Sequence, residues 1–278
     1  MRFNSLEDRM RYYRNLTDYK LMPKSYVLIF LDGRSFSTMI KNKFKKPFDD
    51  DFIKMMNETA VYLCENISGC KFAYTQSDEI SLVITDFDEQ NTESFFGYRL
   101  TKMLSIIASL ATAKFNQLMM DYHIGQIVGN SASAGDTVQM CRDAINNMPL
   151  YQFDCKCWNV PCYEDVFAWF LYRQIDCIRN SKQQAARAYL PHKQLTNLNT
   201  DQQIQLLKNE KGIDWNEYDN GKKFGRFIYK EAIELINTGT SEHYYRNRWL
   251  YHDGFRLTSN EDYNGREKFD ELNIIPRR

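Results

Sequence analysis

Residues 70 to 87 read CKFAYTQSDEISLVITDF. Two runs rich in β-branched and aromatic residues flank Ser77-Asp78-Glu79, so the stretch reads as a hairpin with acids at its tip. Further upstream, residues 26 to 31 read YVLIFL, a short continuous apolar run suited to a strand buried on both faces. The DGR that follows reads as a turn, which leaves Asp32 at a strand end. Asp32, Asp78 and Glu79 raise one question: do these acids hold metal ions, or do they only shape turns?

The surrounding pattern supplies the scaffold. From Asp50 to about Cys64, apolar residues at Phe52, Met55, Met56, Val61, Tyr62 and Leu63 fall close to helical spacing. Residues 92–119 form a long helix candidate, apolar on most of its surface. Residues 151–161, YQFDCKCWNVP, alternate as a strand, and 163–190 form a second long helix. The order β, α, β, β, α, β, α is the split βαβ arrangement of a ferredoxin-like palm. This predicts an α+β fold with Asp32 and the hairpin tip on neighbouring central strands. Residues 6–20 read as an N-terminal helix in a region closed by Pro23. Beyond residue 190 come a polar helix and a glycine-bearing hairpin, and 238–278 is polar and aromatic with little periodicity. Residues 1–150 therefore carry the main part of the palm. Residues 151–278 carry its last strand and a helical and hairpin region, the whole forming one integrated domain.

Composition excludes little but bounds the rest. The chain has 278 residues, with 36 Lys plus Arg against 36 Asp plus Glu, so any nucleic-acid surface must be a local patch. Its seven cysteines lack CxxC pairing and read as reduced thiols of a soluble, cytoplasmic protein. Cys155, Cys157 and Cys162 lie close together, but no fourth ligand has zinc-like spacing, and alternation places Cys155 and Cys157 on one strand face. The start lacks an apolar signal core, and no run approaches the ~18 apolar residues of a membrane span. The four histidines are scattered; His192 fits a substrate contact or a capping role equally. GNSASAG at 129–135 lacks the lysine of a phosphate loop and reads as a mobile connection.

Mg²⁺ keeps several waters and is usually held by one or two carboxylates plus substrate phosphates. Two such ions can activate an attacking oxygen and stabilise a leaving one. The alternative is local turn chemistry, since Asp, Gly and Ser dominate turns. For either pair of residues alone the turn reading is the simpler one. In the βαββαβ order both places that the chemistry requires are filled, and Gly33, without a Cβ, allows close backbone approach to a metal or phosphate.

FLDGRSF, KKP, QSDEIS, YRLTK and YRQIDCIRNS together resemble the tRNA-His guanylyltransferase family, and more closely its guanylyltransferase-like branch. The resemblance spans roughly residues 5 to 235. It implies a palm that extends the 5′ end of tRNA in the 3′-to-5′ direction, with two Mg²⁺ and with ATP or GTP as the activating nucleotide. By position, Asp32 and Asp78 would bind the ions with the carbonyl of Gly33, and Glu79 is a weaker catalytic candidate. Lys46 would face the activating triphosphate. Arg99 and Lys102 would hold the incoming one from one face near a helix start, and Ser77 matches a nucleotide-binding position. A homotetramer built as a dimer of dimers is also implied.

One departure bears on specificity. Where the enzymes acting on tRNA-His carry His-Ile-Asn-Asn-Leu-Tyr-Asn, this chain reads IRNSKQQA at 178–185, retaining only Asn180. That favours template-dependent repair of 5′-truncated tRNAs over guanylation of tRNA-His. Arg179, Lys182 and Arg187 are RNA-phosphate candidates, with a solvated helix face as the equal alternative. Phe30 stands where relatives usually show arginine. A nucleotide cyclase on the same palm and a catalytically silent RNA-binding protein are the rival readings.

Overall fold

The computed structural model describes residues 3–130, 134–236, 243–257, 259–260 and 263–277. Helix α1 (Leu6–Asn15) is capped by Ser5, whose hydroxyl accepts from the Asp8 amide, and buries none of its residues. Strand β1 (Tyr26–Gly33) follows and is buried along almost its whole length. Two helices, α2 (Phe36–Lys43) and α3 (Asp50–Asn66), lead to β2 (Cys70–Gln76) and β3 (Glu79–Ile84). Then come α4 (Leu100–Asn130), α5 (Ala134–Asn147), β4 (Phe153–Val160) and α6 (Tyr163–Tyr189). The main sheet has the order β4-β1-β3-β2, continued by β5 (Arg226–Ile236) and β6 (His243–Asp253), with every neighbouring pair antiparallel. The first four strands are the expected βαββαβ palm.

Alternation along β1 explains its continuous apolar run. Val27, Ile29 and Leu31 pack with Phe52 and Met56 of α3 and with Ile107 and Phe115 of α4. Tyr26 and Leu28 face the other way, onto Val166 and Phe170 of α6. Each such side chain contributes about 1.5–3 kcal/mol on burial, so the strand's register against both layers is strongly fixed. Helices α3 and α4 thus share one face of the sheet, and α6 covers the other. Short helices α7 (His192–Leu195), α8 (Thr200–Lys211) and α9 (Asn220–Phe224) pack beside α6, with Asn199 and Gln202 forming a capping box on α8. His192 begins α7, where its carbonyl accepts from the Thr196 hydroxyl.

Several boundaries differ from the sequence reading. Strand β1 continues through Asp32 and Gly33 instead of turning before them, because both residues pair with β4 and Asp32 also with β3. The helix expected over 92–119 begins only at Leu100. Phe96, Gly97 and Tyr98 all have positive φ and form a kinked turn ahead of it. This corrects the placement of Arg99 and Lys102 on one helix face: Arg99 precedes α4 and instead forms a β-bridge with Lys20. The 238–278 region contains all of β6 and a helix, α10 (Gly265–Glu271). The strand was illegible because nearly every residue of its first half is exposed on both faces. Of the stretch 129–135, read as a connection, residues 129–130 end α4 and 134–135 begin α5, and 131–133 lie outside the described residues. No helix among the described residues is long and apolar enough to cross a membrane.

Candidate active site

Register brings the acids together. Asp32 of β1 lies opposite Glu79 of β3 and opposite Asp154 of β4, and Glu79 lies opposite Gln76 of β2. Directly opposed residues of antiparallel strands share a face, so Asp154, Asp32, Glu79 and Gln76 form one row across the sheet on its α6 side. The two-residue turn Ser77-Asp78 closes the hairpin, with Ser77 in the left-handed region at φ 47°. The Ser77 hydroxyl donates to the Asp78 carboxylate at 2.9 Å, and the Gly33 amide donates to the Asp78 carbonyl at 3.1 Å. The tip is therefore tied to the end of β1.

Negative charge accumulates here without full compensation. Burial, and then the charges of Asp78, Glu79 and Asp154, push Asp32 up from 3.8 to about 6, with Lys156 opposing. Burial also raises Asp78, against the Ser77 hydrogen bond. Among the described residues no three His, Cys, Asp or Glu side chains gather as a metal-binding group. A cation here would rest on Asp32, Asp78, carbonyl oxygens, water and substrate oxygens, a hard-oxygen set suited to Mg²⁺. Gly33 has a packing reason of its own: a Cβ would sit 2.5 Å from the Phe36 ring.

Glu79 is engaged differently. Arg173 of α6 donates to its carboxylate from Nε at 3.0 Å and from Nη2 at 2.7 and 2.5 Å. The guanidinium pKa is held above its ordinary value by Glu79 and Asp176, although burial opposes this. Asp176 accepts from Arg173, Arg179 and Asn180.

Beside the hairpin tip is a cavity of about 400 Å³ whose wall includes Lys46, Ser77, Asp78, Asn180 and Arg187. Lys46 sits just before the N-cap of α3, where the Asp49 carboxylate accepts from the amides of Asp51 and Phe52. A family model described as tRNA-His guanylyltransferase matches residues 7–161, more than half of the chain. The chain belongs to the tRNA-His guanylyltransferase family.

Members of this family are nucleotidyltransferases, and this chain is an enzyme of that class. A solved bacterial tRNA-His guanylyltransferase-like protein in complex with ATP is 34% identical, with a TM-score of 0.74 and 96% of each chain covered. A bacterial counterpart in complex with GTP is 30% identical, with a TM-score of 0.69 over 97% of each chain. An uncharacterised protein of Acanthamoeba polyphaga mimivirus is 29% identical over 245 residues, 84% of this chain and 80% of that protein.

Not every residue expected at the site reaches it. Arg99 and Lys102 are not on the cavity wall; Arg99 pairs with Asp18 at 2.9 Å, and the Lys102 ammonium lies 4.4 Å over the Phe96 ring. Arg179 pairs with Asp176, and Lys182 with Asp201 at 2.5 Å. Cys155 and Cys157 share a face with their sulfurs 3.9 Å apart, while Cys162 donates to Asp165. The sequence reading missed Asp154, Lys156 and Arg173. Alternation within FDCKCWNV puts Asp154 and Lys156 on one face, but only the pairing with β1 places that face beside Asp32.

Proposed function

We propose that this chain is a template-dependent 3′-to-5′ nucleotidyltransferase that restores the 5′ ends of truncated tRNAs. The observation supporting this reading is the Gly33–Asp78 tie, which joins the end of β1 carrying Asp32 to a hairpin tip whose Asp78 lines the cavity with Lys46 and Arg187. In a first step a 5′-monophosphate oxygen attacks the α-phosphorus of ATP or GTP, and pyrophosphate leaves. In a second step the 3′-hydroxyl of an incoming triphosphate attacks the activated 5′ phosphorus, and AMP or GMP leaves. Asp32, Asp78 and the Gly33 carbonyl would hold two Mg²⁺, which when bound neutralise phosphate oxygens and favour the ionised nucleophile.

The chain's own residues position the reactants. Lys46, exposed and without an ion pair among the described residues, binds the activating triphosphate, and Ser77 orients Asp78. Arg99 and Lys102 are assigned to the incoming triphosphate, which requires Arg99 to exchange Asp18 for phosphate. Asn180 and Arg187 face the RNA from the cavity wall. IRNSKQQA at 178–185 favours repair, because it lacks the stretch present in enzymes that act on tRNA-His.

The test is incubation with 5′-monophosphorylated tRNA lacking its first nucleotide, labelled triphosphates and Mg²⁺. Extension of a truncated non-histidine tRNA is expected, with incorporation switching from G to U when the template base is changed from C to A. Robust addition of a single G to full-length tRNA-His alone, dependent on its anticodon, would assign the chain to tRNA-His guanylation. Turnover of triphosphates without RNA would assign it to cyclase-like chemistry.

A further inference from the structure

The three acids nearest the hairpin tip are not equivalent. Both oxygens of Glu79 are occupied: Oε1 accepts from Arg173 Nη2, and Oε2 accepts from Arg173 Nε and Nη2 and from Gln76 Nε2 at 2.8 Å. The Asp78 carboxylate accepts only from its own turn, from the Ser77 hydroxyl and its own backbone amide, and Asp32 has no side-chain hydrogen bond or ion pair among the described residues. Arg173 is itself fixed. Its side chain is only 10% exposed, and the rings of Tyr172, Phe30 and Trp169 lie 5.1, 5.5 and 6.0 Å from its guanidinium carbon. Such a planar fork is matched to one carboxylate in two-pronged geometry.

We propose that Arg173 is a positioning residue that reserves Glu79 as its counter-ion, so that the cation site is built on Asp32 and Asp78 and not on three carboxylates. This rests on the two-ion reading above. The same guanidinium donates to Asp176 at 3.0 Å, and Asp176 accepts from Asn180, which lines the cavity. Arg173 therefore joins the acidic row of the sheet to the α6 wall of the nucleotide cavity. The consequence is a site of limited charge. Two free carboxylates leave coordination positions on a divalent ion for phosphate oxygens, whereas a third would tighten the ion and occupy a position that the substrate needs.

The experiment measures Mn²⁺ binding to the full chain without RNA, by electron paramagnetic resonance, alongside nucleotide addition in Mg²⁺. The variants are Arg173→Met and the charge-balanced pair Arg173→Met with Glu79→Gln. Affinity of carboxylate sites rises with ligand charge, so Arg173→Met is expected to bind Mn²⁺ about tenfold more tightly while adding nucleotides more slowly. The double variant is expected to return to about the wild-type affinity, since Glu79 contributes no ligand in either protein. Removing both members of a buried pair is better tolerated than removing one, so the double variant keeps the test open if the single one fails to fold. An unchanged affinity in Arg173→Met, or a loss of about tenfold or more in the double variant, overturns the proposal. Absence of Mn²⁺ binding by the wild-type chain overturns the two-ion reading itself and this inference with it.

Discussion

The amide of Gly33 donates to the carbonyl of Asp78 across 3.1 Å, so the end of the central strand and the tip of the neighbouring hairpin keep a fixed spacing. Side chains, not this backbone tie, supply the free acids. Asp32→Asn and Asp78→Asn should therefore preserve the fold and lower nucleotide addition by at least about 100-fold, the upper range for losing a partner of a metal ligand. Turnover and melting temperature measured together check this, and near-normal rates in either variant would exclude the assignment.

Asp32 also predicts a pH dependence. Its folded pKa of about 6 lies above the unfolded 3.8, so the folded state holds this proton more tightly. The stability it contributes is present below the unfolded value and is lost as pH rises through about 6. Without divalent ions, Asp32→Asn should melt at increasingly higher temperature than wild type as pH is raised from 4 to 7, and Mg²⁺ should narrow the gap. Lys156 lowers the Asp32 pKa, so Lys156→Met should move the step to higher pH. Parallel melting curves for wild type and Asp32→Asn across this range would remove the argument.

How much of this was legible follows from which interactions are local. The hairpin at 70–87 and strand β1 were readable because both strands are buried on two faces, which forces continuous apolar runs. The late start of α4 was not, since the positive φ of Phe96, Gly97 and Tyr98 sits in a stretch whose apolar residues continue the helical pattern. Arg173 stood within a quoted motif, yet its partner Glu79 is 94 residues away, and no spacing rule links a helix to a strand across that distance. Asp154 failed to register for the same reason: its role depends on pairing with Asp32, a contact set by sheet order.

Gly33 offers a test that separates packing from chemistry. A Cβ there would meet the Phe36 ring at 2.5 Å, and that ring is fully buried against Phe115, Tyr151 and Phe153. Gly33→Ala should cost about 1–3 kcal/mol, the usual range for overpacking, as read by urea unfolding. Gly33→Ala combined with Phe36→Leu should recover much of that loss. No recovery would place the need for glycine in the backbone and not against the ring.

The last prediction concerns the two triphosphates. Lys46 is exposed on the cavity wall, so Lys46→Ala should change stability by no more than about 0.5 kcal/mol yet impair activation of a 5′-monophosphate. Arg99 lies elsewhere and is held by Asp18, so its carboxylate partner competes with any phosphate that Arg99 binds. Exposed pairs of this kind are worth about 0–1 kcal/mol, little enough for an incoming triphosphate to displace. Asp18→Asn should accordingly lower KM for the incoming nucleotide by about two- to fivefold on RNA that already carries a 5′-triphosphate, whereas Arg99→Ala should raise it. Neither change should alter the first step, in which Lys46 acts. If Asp18→Asn leaves KM unchanged while Arg99→Ala only lowers the melting temperature, the Arg99–Asp18 pair is a fastening for the segment before α4, and the incoming triphosphate must be held by other cations.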